Sequence, residues 1–219
     1  MFSEGKLQQM IGVFGGTFDP VHFGHLRPLL EVQQTLGLDE VRLIPSFIPP
    51  HRDAPGASAE QRLAMLALAA AETPGFAIDQ RELLRGGPSY TVDTLQSLRD
   101  ELGSNQSLCL IMGLDAFVGL DSWDQWQRLS ELAHIVVMQR PGGLLAKAGA
   151  VAELVEQRQA LDVAELQQQP AGMIYFQSVT QLDISATAIR EQLAHGQDVR
   201  FLMPDSVRYY IEAQGLYKC

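Results

Sequence analysis

The sequence has few of the features that mark secreted, membrane-spanning or disulfide-linked proteins. It contains 2 cysteines among 219 residues, Cys109 in an apolar segment and Cys219 at the last position, which is not the pattern of a disulfide framework. The longest apolar run, Leu63 to Ala71, is too short to span a membrane. The first residues lack the basic and apolar segments of a secretion signal. We therefore expect a protein of the reducing cytoplasm that has no membrane partner.

Basic residues are also scarce. The chain has 16 lysines and arginines against 26 aspartates and glutamates, which gives a net charge of -10. This balance argues against a nucleic-acid partner, because proteins that bind nucleic acids normally present a basic face. An anionic substrate would need a local positive pocket within an acidic surface. Since 46% of the residues are hydrophobic, the chain can bury one full core, and we expect a single domain over residues 1–219.

Strand-like and helix-like segments alternate along the chain. The predicted strands are Met10–Phe14, Val41–Pro45, Phe76–Ile78, Leu108–Met112, His134–Gln139 and Met173–Val179. The predicted helices cover residues 23–36, 61–72, 91–101, a segment that ends at 161, 185–194 and 205–214, and the last two form a small C-terminal helical portion within residues 183–216. This alternation predicts an α/β fold of the Rossmann-like, doubly wound type, in which a mainly parallel sheet has helices on both faces. Ligands of such sheets bind beyond the carboxyl ends of the strands.

The segment GGTFDPVHFGHL, residues 15–26, joins the first predicted strand to the first predicted helix. Gly15 and Gly16 have no β-carbon, so the backbone can turn sharply there and approach a ligand closely. The helix start offers unpaired N–H groups and a partial positive charge to an anion. Asp19, which precedes a proline, is interpreted as a turn residue. The junction as a whole predicts a phosphate-binding site.

His22 and His25 lie at the opening of that helix. Their spacing puts both on one face, where each imidazole can donate to oxygens of one phosphate chain. The alternative is that each is an ordinary capping or surface histidine, but the coincidence with a strand, paired glycines and Thr17 favours the phosphate site. A zinc site fits the sequence less well, because zinc-binding helices use i, i+4 spacing and no further ligands follow at suitable intervals.

A second candidate anion site is the segment DISATAIR, residues 183–190, which follows a predicted strand and opens a helix. Ser185 can cap that helix, and its hydroxyl and that of Thr187 can meet phosphate oxygens beside free N–H groups. Arg190, one turn later, can present a bidentate guanidinium to the same anion. Taken alone, the segment fits a plain N-cap followed by a helix arginine equally well.

Together these two segments resemble the nucleotidyltransferase superfamily that carries an H-x-G-H signature and a C-terminal I-S-x-T-x-x-R signature. The resemblance covers roughly residues 11–216 and points to the bacterial nicotinate-nucleotide adenylyltransferase family. The further elements that look like this family are Ile44-Pro45, Pro49-Pro50-His51-Arg52, Ser89-Tyr90-Thr91-Val92-Asp93-Thr94-Leu95, Gly113-Leu114-Asp115, Trp123 and Arg140-Pro141-Gly142.

The resemblance implies a reaction of NAD biosynthesis. Nicotinate mononucleotide would attack the α-phosphorus of ATP and give nicotinate adenine dinucleotide and pyrophosphate. No covalent enzyme intermediate is required, because the nucleophile is already an anionic phosphate. The expected partners are therefore ATP and nicotinate mononucleotide, and the expected cofactor is Mg²⁺, carried by the ATP phosphates without protein side chains as ligands. The protein is expected to be a monomer or a homodimer.

The resemblance also implies roles for individual residues on the ATP side. His22 and His25 would bind the ATP phosphates and stabilise the transition state, with Arg190 as the third catalytic residue. The residues expected to bind ATP are Gly15, Gly16, Thr17, Phe18, His22, His25, Gly113, Asp115, Ile184, Ser185, Thr187 and Arg190. Among them, Gly113 and Asp115 would take the adenosine, and the Asp115 carboxylate would accept from ribose hydroxyls.

On the mononucleotide side, a helix start at Thr91 favours binding of the nicotinate carboxylate to free N–H groups. Either tryptophan of the segment, Trp123 or Trp126, would by itself be read as core, and the resemblance places Trp123 against the pyridine ring. The residues expected to bind the mononucleotide are Gly16, Thr17, Phe18, His51, Arg52, Ser89, Tyr90, Thr91, Trp123 and Arg140. His51 and Arg52 lie in a proline-rich predicted loop, where a solvated basic loop is the alternative.

Three positions depart from the family pattern. Ser46-Phe47-Ile48 stands where the family often has asparagine, Ala186 where it often has a second serine, and Arg52 where it often has lysine. Three other functions compete with the one above. A related adenylyltransferase would act on nicotinamide mononucleotide or phosphopantetheine, a class I aminoacyl-tRNA synthetase would share the H-x-G-H site, and a nucleotide-binding sensor would keep the fold without turnover.

Overall fold

A computed structural model describes residues 9–48, 54–140 and 148–218 of the chain. Six strands within these residues form one sheet, in which every neighbouring pair is parallel. The strands are β1 (Met10–Gly16), β2 (Glu40–Pro45), β3 (Phe76–Ile78), β4 (Ser107–Gly113), β5 (His134–Gln139) and β6 (Ile174–Ser178). Their order across the sheet is β3-β2-β1-β4-β5-β6.

The central strands are apolar and buried on both faces, as expected where helices cover a parallel sheet on both sides. Six of the seven residues of β4 are buried, as are five of the six of β5. In the middle of β1, Gly12 pairs with Val41 and Cys109. A β-carbon at Gly12 would lie 2.9 Å from side-chain atoms of Ile111 and of Leu38. A larger residue here would displace the ends of these two side chains, so glycine suits the tight packing around the centre of β1.

Helices connect the strands and cover both faces of the sheet. They are α1 (Phe23–Leu36), α2 (Ala59–Ala71), α3 (Arg81–Arg85), α4 (Thr91–Leu102), α5 (Leu114–Val118), α6 (Trp126–Leu132), α7 (Ala150–Arg158), α8 (Val163–Leu166), α9 (Ala186–Ala194) and α10 (Asp205–Gln214), with a 3₁₀ turn at Leu120–Ser122. Apolar residues of α1, α2, α9 and α10 form one core cluster, and those of α4, α5, α6 and α7 form another. The doubly wound fold predicted from the sequence is thus confirmed.

The strand order places a topological switch point at the centre of the sheet. The chain leaves β1 toward β2 on one side, while β4 pairs with β1 on the other side. The carboxyl ends of β1 and β4, at Gly16 and Gly113, therefore diverge around a crevice, which is where ligands of doubly wound sheets bind. None of the helices in the described parts of the chain combines the length and the apolar character that a membrane crossing needs.

Candidate active site

Gly15 and Gly16 are the last residues of β1, and together with the turn that follows them, here called the glycine turn, they border a cavity of about 460 Å³ at the switch point. Gly15, Gly16 and Thr17 line this cavity. Their role as the shared floor of a two-nucleotide site stays a prediction. Phe18, which was predicted to line the same floor, is buried instead and packs beneath Gly16. A β-carbon at Gly16 would lie 3.0 Å from the tip of the Phe18 ring, so only glycine lets the turn lie this close to the aromatic ring.

The two imidazoles at the start of α1 stack on one another. The ring centroids of His22 and His25 are 3.8 Å apart, with 27° between the ring planes. His25 lines the cavity and packs edge-on against Phe18, with 5.4 Å between ring centroids. His22 is only 4% exposed, and its Nδ1 atom has no hydrogen-bond partner among the described residues. Burial lowers the pKa of His22 to about 4, so its ring is neutral at neutral pH.

Gly24 allows the start of α1 to approach the segment before α9. A β-carbon on Gly24 would lie 2.8 Å from the carbonyl oxygen of Ile184 and 2.9 Å from the His22 ring. No other residue type fits between these groups without a shift of the backbone. The first turn of α1 and the residues just before α9 are therefore in direct contact. The two helix starts that the sequence singles out as anion sites converge on one region.

The start of α9 carries the second group of predicted phosphate ligands. The Ser185 hydroxyl accepts a hydrogen bond of 3.2 Å from the backbone N–H of Ala188 and so caps the helix, as predicted. Arg190 Nη2 donates to the Thr187 hydroxyl at 3.3 Å, and Arg190 Nη1 donates to the backbone carbonyl of Asp19 at 2.8 Å. Arg190 thus reaches back to the turn between β1 and α1, which places its guanidinium beside the H-x-G-H segment.

The other end of the cavity lies at the start of α4. Ser89, Tyr90 and Thr91 line it, and no side chain in the described structure caps the helix at its N-cap residue, Tyr90. The first N–H groups of α4 are therefore not bonded by a capping side chain and can receive a carboxylate. Trp123 and Trp126 both pack against the core cluster of this face, and Trp123 also lines the cavity.

Two buried charged residues at the site escaped the sequence analysis. Arg62 on α2 is 1% exposed and donates to the Thr17 carbonyl at 2.8 Å, so it supports the glycine turn from behind. The signal that could have revealed Arg62 is the presence of an arginine within the apolar stretch of residues 61–71. Glu82 on the one-turn helix α3 lines the cavity and accepts a hydrogen bond of 2.6 Å from the Thr94 hydroxyl. Burial raises the pKa of Glu82. A helix this short leaves no periodic pattern to read.

The remaining predicted residues are more dispersed. Gly113 lines the cavity and is the N-cap residue of α5, whereas Asp115 is exposed in the first turn of that helix. Arg140, at the end of β5, is exposed and donates to the side-chain oxygen of Gln181 at 2.7 Å. His51 and Arg52 lie outside the described residues.

Ser46, one of the positions that departs from the family pattern, lines the cavity, and its N–H donates to the Gly16 carbonyl at 2.9 Å.

The described residues contain no group of three or more His, Cys, Asp or Glu that could hold a metal ion. The carboxylate of the glycine turn, Asp19, is engaged by protein donors. It accepts hydrogen bonds from the N–H groups of Gly56 and Ala57 and from the Tyr217 hydroxyl. These three donors use most of the about four lone-pair sites of the carboxylate.

Comparison with known proteins places this chain in a family. The family model described as cytidylyltransferase-like matches residues 13–192. A probable nicotinate-nucleotide adenylyltransferase of Aeromonas hydrophila is 51% identical over 212 residues, which cover 97% of this chain and 99% of that protein. A protein of the same name from Methylococcus capsulatus is 53% identical over 209 residues, 95% of this chain and 99% of the relative.

A solved structure shares the fold at much lower sequence identity. The nicotinic acid mononucleotide adenylyltransferase of Plasmodium falciparum, complexed with NaAD, has a TM-score of 0.68 and 19% identity, and the match covers 95% of this chain and 97% of that one. The same enzyme complexed with APC gives a TM-score of 0.67.

Proposed function

We propose, from the premise that this chain belongs to the nicotinate-nucleotide adenylyltransferases of the cytidylyltransferase-like family, that it transfers the adenylyl group of ATP to nicotinate mononucleotide. The products are nicotinate adenine dinucleotide and pyrophosphate, and the reaction is a step of NAD biosynthesis. One observation carries this proposal. The starts of α1 and α9 meet beside a cavity whose far end is the uncapped start of α4, so one crevice offers separate anion sites for two nucleotides.

The chemistry asks the protein to hold two anions in line. A phosphate oxygen of the mononucleotide attacks the α-phosphorus of ATP, the new P–O–P bond forms, and the bond between the α-phosphorus and the bridging oxygen breaks. The electron pair of that bond leaves with pyrophosphate. Catalysis of such a displacement depends on positioning and on neutralising the charge that develops on the leaving group.

The residues proposed to bind the triphosphate of ATP come from two helix starts, those of α1 and α9. His22 and His25 contribute imidazole donors from α1, and the low pKa of His22 means that its ring donates as a neutral group. From α9, Arg190 supplies the cation, and the Ser185 and Thr187 hydroxyls lie at the same helix start. The predicted adenosine ligands are Gly113 and Asp115, and Ile184 is a further predicted ATP contact. The proposed shared floor is Gly15 to Thr17 above Phe18.

The mononucleotide is proposed to occupy the end of the cavity near α4. There Tyr90 and Thr91 are proposed to offer backbone and hydroxyl donors to the nicotinate carboxylate. Ser89 lines the same end of the cavity, where its N–H donates to the Ile48 carbonyl at 3.0 Å and its hydroxyl accepts from the Phe47 N–H at 2.9 Å. Trp123 provides an aromatic surface for the pyridine ring. His51 and Arg52 are assigned to the substrate phosphate, and Arg140 is assigned to the mononucleotide as a whole. These assignments stay predictions from the sequence.

Members of nucleotidyltransferase families generally use a divalent metal together with ATP. We propose Mg²⁺ bound to the phosphates of ATP, and the donor set of the site suits an ion that arrives with the nucleotide, because Asp19 is already occupied by protein donors. When bound, the ion neutralises charge on the triphosphate and on the departing pyrophosphate.

The test is an assay of the purified full chain with ATP, Mg²⁺ and one acceptor at a time. Nicotinate mononucleotide, nicotinamide mononucleotide and phosphopantetheine serve as acceptors, and both pyrophosphate and the dinucleotide product are quantified. We expect the highest kcat/KM with the acid mononucleotide. A higher kcat/KM with either other acceptor would reassign the substrate, and binding of ATP without turnover on any acceptor would favour a sensor.

A further inference from the structure

A buried carboxylate beside the phosphate site has no role in the reaction as described above. Asp19 is 5% exposed and lies in the turn between β1 and α1. Its Oδ2 accepts from the N–H of Gly56 at 2.7 Å, and its Oδ1 accepts from the N–H of Ala57 at 3.1 Å. The Tyr217 hydroxyl also donates to Oδ1, at 2.7 Å. One carboxylate therefore joins the turn, the loop before α2 and the segment after α10.

The same residue fixes the orientation of Arg190. Arg190 Nη1 lies 2.8 Å from the backbone oxygen of Asp19 and 3.6 Å from its Oδ2 atom. The Arg190 side chain remains 32% exposed, so part of it faces solvent at the site. A free arginine would lose rotamer entropy when an anion orders it, and that loss lowers affinity. Contacts that order the guanidinium beforehand remove much of this cost.

Tyr217 closes this arrangement from the other side. A β-carbon at Gly56 would lie 3.2 Å from the Tyr217 ring and 3.4 Å from the Arg190 side chain, so these three residues pack directly together. Tyr217 has a φ of 60°, a conformation that is costly for a residue with a large side chain and that persists where surrounding contacts impose it. Burial and the hydrogen bond to Asp19 raise the pKa of Tyr217, which keeps its hydroxyl a donor.

We propose that Asp19 and Tyr217 are positioning residues that hold the Arg190 guanidinium ready for the triphosphate and tie it to the loop before α2. This inference rests on the proposed function, because the triphosphate is the anion assigned to Arg190. Neither side chain needs to touch the substrate. The Tyr217 hydroxyl holds the Asp19 carboxylate, which also accepts from the N–H groups of residues 56 and 57. Arg190 is held by the backbone carbonyl of Asp19 and by an ion pair of 3.6 Å to its carboxylate.

The central test is the binding of a non-hydrolysable ATP analogue, measured by calorimetry with the full chain. Tyr217→Phe keeps the ring and removes the hydroxyl. We expect its Kd for the analogue to rise about tenfold, the loss typical of one hydrogen bond to a charged group. Tyr209→Phe is the matched control, since Tyr209 is an exposed tyrosine on α10, and its Kd should equal that of the wild type.

A double-mutant cycle separates positioning from general stabilisation. If Tyr217 acts through Arg190, the Tyr217→Phe change should have no further effect on the Kd in an Arg190→Ala background. Equal effects of Tyr217→Phe in both backgrounds would overturn the proposal, as would a wild-type Kd in the single variant. If Tyr217→Phe melts early, Asp19→Asn replaces it in the same cycle, with the same two outcomes expected.

Amide hydrogen exchange gives a readout without nucleotide. The N–H groups of Gly56 and Ala57 should exchange faster in Tyr217→Phe than in the wild type, because their acceptor is no longer held. Unchanged exchange would contradict the link through Asp19. A wild type that fails to bind the analogue would sink the proposed function, whereas normal binding by both wild type and variant would sink the positioning role alone.

Discussion

The two ends of the parallel sheet both bury a histidine, and they treat its ring nitrogens in opposite ways. At the amino end of β5, His134 Nε2 lies 2.9 Å from the Gln169 carbonyl, and its Nδ1 accepts from the N–H of Met173 at 3.1 Å. At the carboxyl end of β1, His22 is just as buried, but its Nδ1 has no hydrogen-bond partner among the described residues. Similar burial thus accompanies a hydrogen-bonded Nδ1 atom in His134 and an unbonded Nδ1 atom in His22.

The neighbouring arginines repeat this contrast. Near the amino end, Arg99 donates to the carbonyl oxygens of Leu132 and Pro170, so its guanidinium is bonded to the backbone of two connections. At the carboxyl end, Arg190 shares its donors between the turn and α9 and keeps part of its side chain exposed. The amino end is therefore built for stability, and the carboxyl end keeps polar groups available for a ligand. Substitutions at the two ends should separate stability from activity.

The largest effect should come from His25→Ala at the carboxyl end. Loss of one donor to the transition state lowers turnover by roughly a hundredfold or more. The free energy of unfolding should change much less than it does for substitution of His134. Steady-state kinetics and urea unfolding of the same preparation check both statements. Near-normal turnover in a folded variant would contradict the role assigned to His25.

His134→Ala should show the reverse behaviour. It leaves the Gln169 carbonyl and the Met173 N–H without their partner, which costs about 2 kcal/mol in the free energy of unfolding. Well below its melting temperature, the variant should keep the kcat of the wild type. Denaturant unfolding measures the first quantity and the assay at low temperature the second. A large loss of kcat with unchanged stability would break the proposed division between the two ends.

Two tryptophans allow the same comparison within one face of the sheet. Trp123→Ala should raise the KM for the mononucleotide about tenfold, the scale of a lost base-stacking contact, with a smaller change for ATP. Trp126→Ala is the matched control, because Trp126 packs against the same core cluster. That variant should lower stability and leave both KM values near those of the wild type. Equal changes in both KM values for Trp123→Ala would indicate a packing role.

The smallest effect concerns pH. Because the folded-state pKa of His22 is about 4, below its ordinary value, the folded state resists protonation more than the unfolded state does. The contribution of His22 to the free energy of unfolding is therefore complete above the pKa of about 6.5 that histidine has in the unfolded chain. It decreases as the pH drops toward about 4. Between about pH 8 and about pH 6 the loss should be about 1 kcal/mol. In His22→Asn this part of the pH dependence of the free energy of unfolding should be missing, which urea unfolding at several pH values measures. If the variant keeps the pH dependence of the wild type, groups other than His22 cause it.

Local sequence patterns account for much of the fold. Each of the six strands was predicted within one or two residues, since buried parallel strands are near-continuous apolar runs. The start of α1 at Phe23 and the Ser185 cap of α9 also follow from local rules. The short helices α3, α5, α6 and α8 were not predicted, because one or two turns are too short to show a helical period.

The connections within the site depend on tertiary structure and could not be read from the sequence. Asp19 looked like a turn residue before a proline, yet its partners lie 37, 38 and 198 positions away. Arg62 was not singled out in the sequence, because its partner Thr17 lies 45 positions earlier. A motif identifies the residues that surround a bound molecule. The residues that hold those side chains in position become visible only in three dimensions.

The bond between Tyr217 and Asp19 has a consequence for biosynthesis on the ribosome. It joins side chains 198 positions apart, so Asp19 is synthesised long before its partner. Contacts of such separation form late, because a long loop must close first. A nascent chain that has already assembled its sheet will therefore still have an unfinished phosphate site, and the hydrogen bond completes only after the segment following α10 has left the exit tunnel.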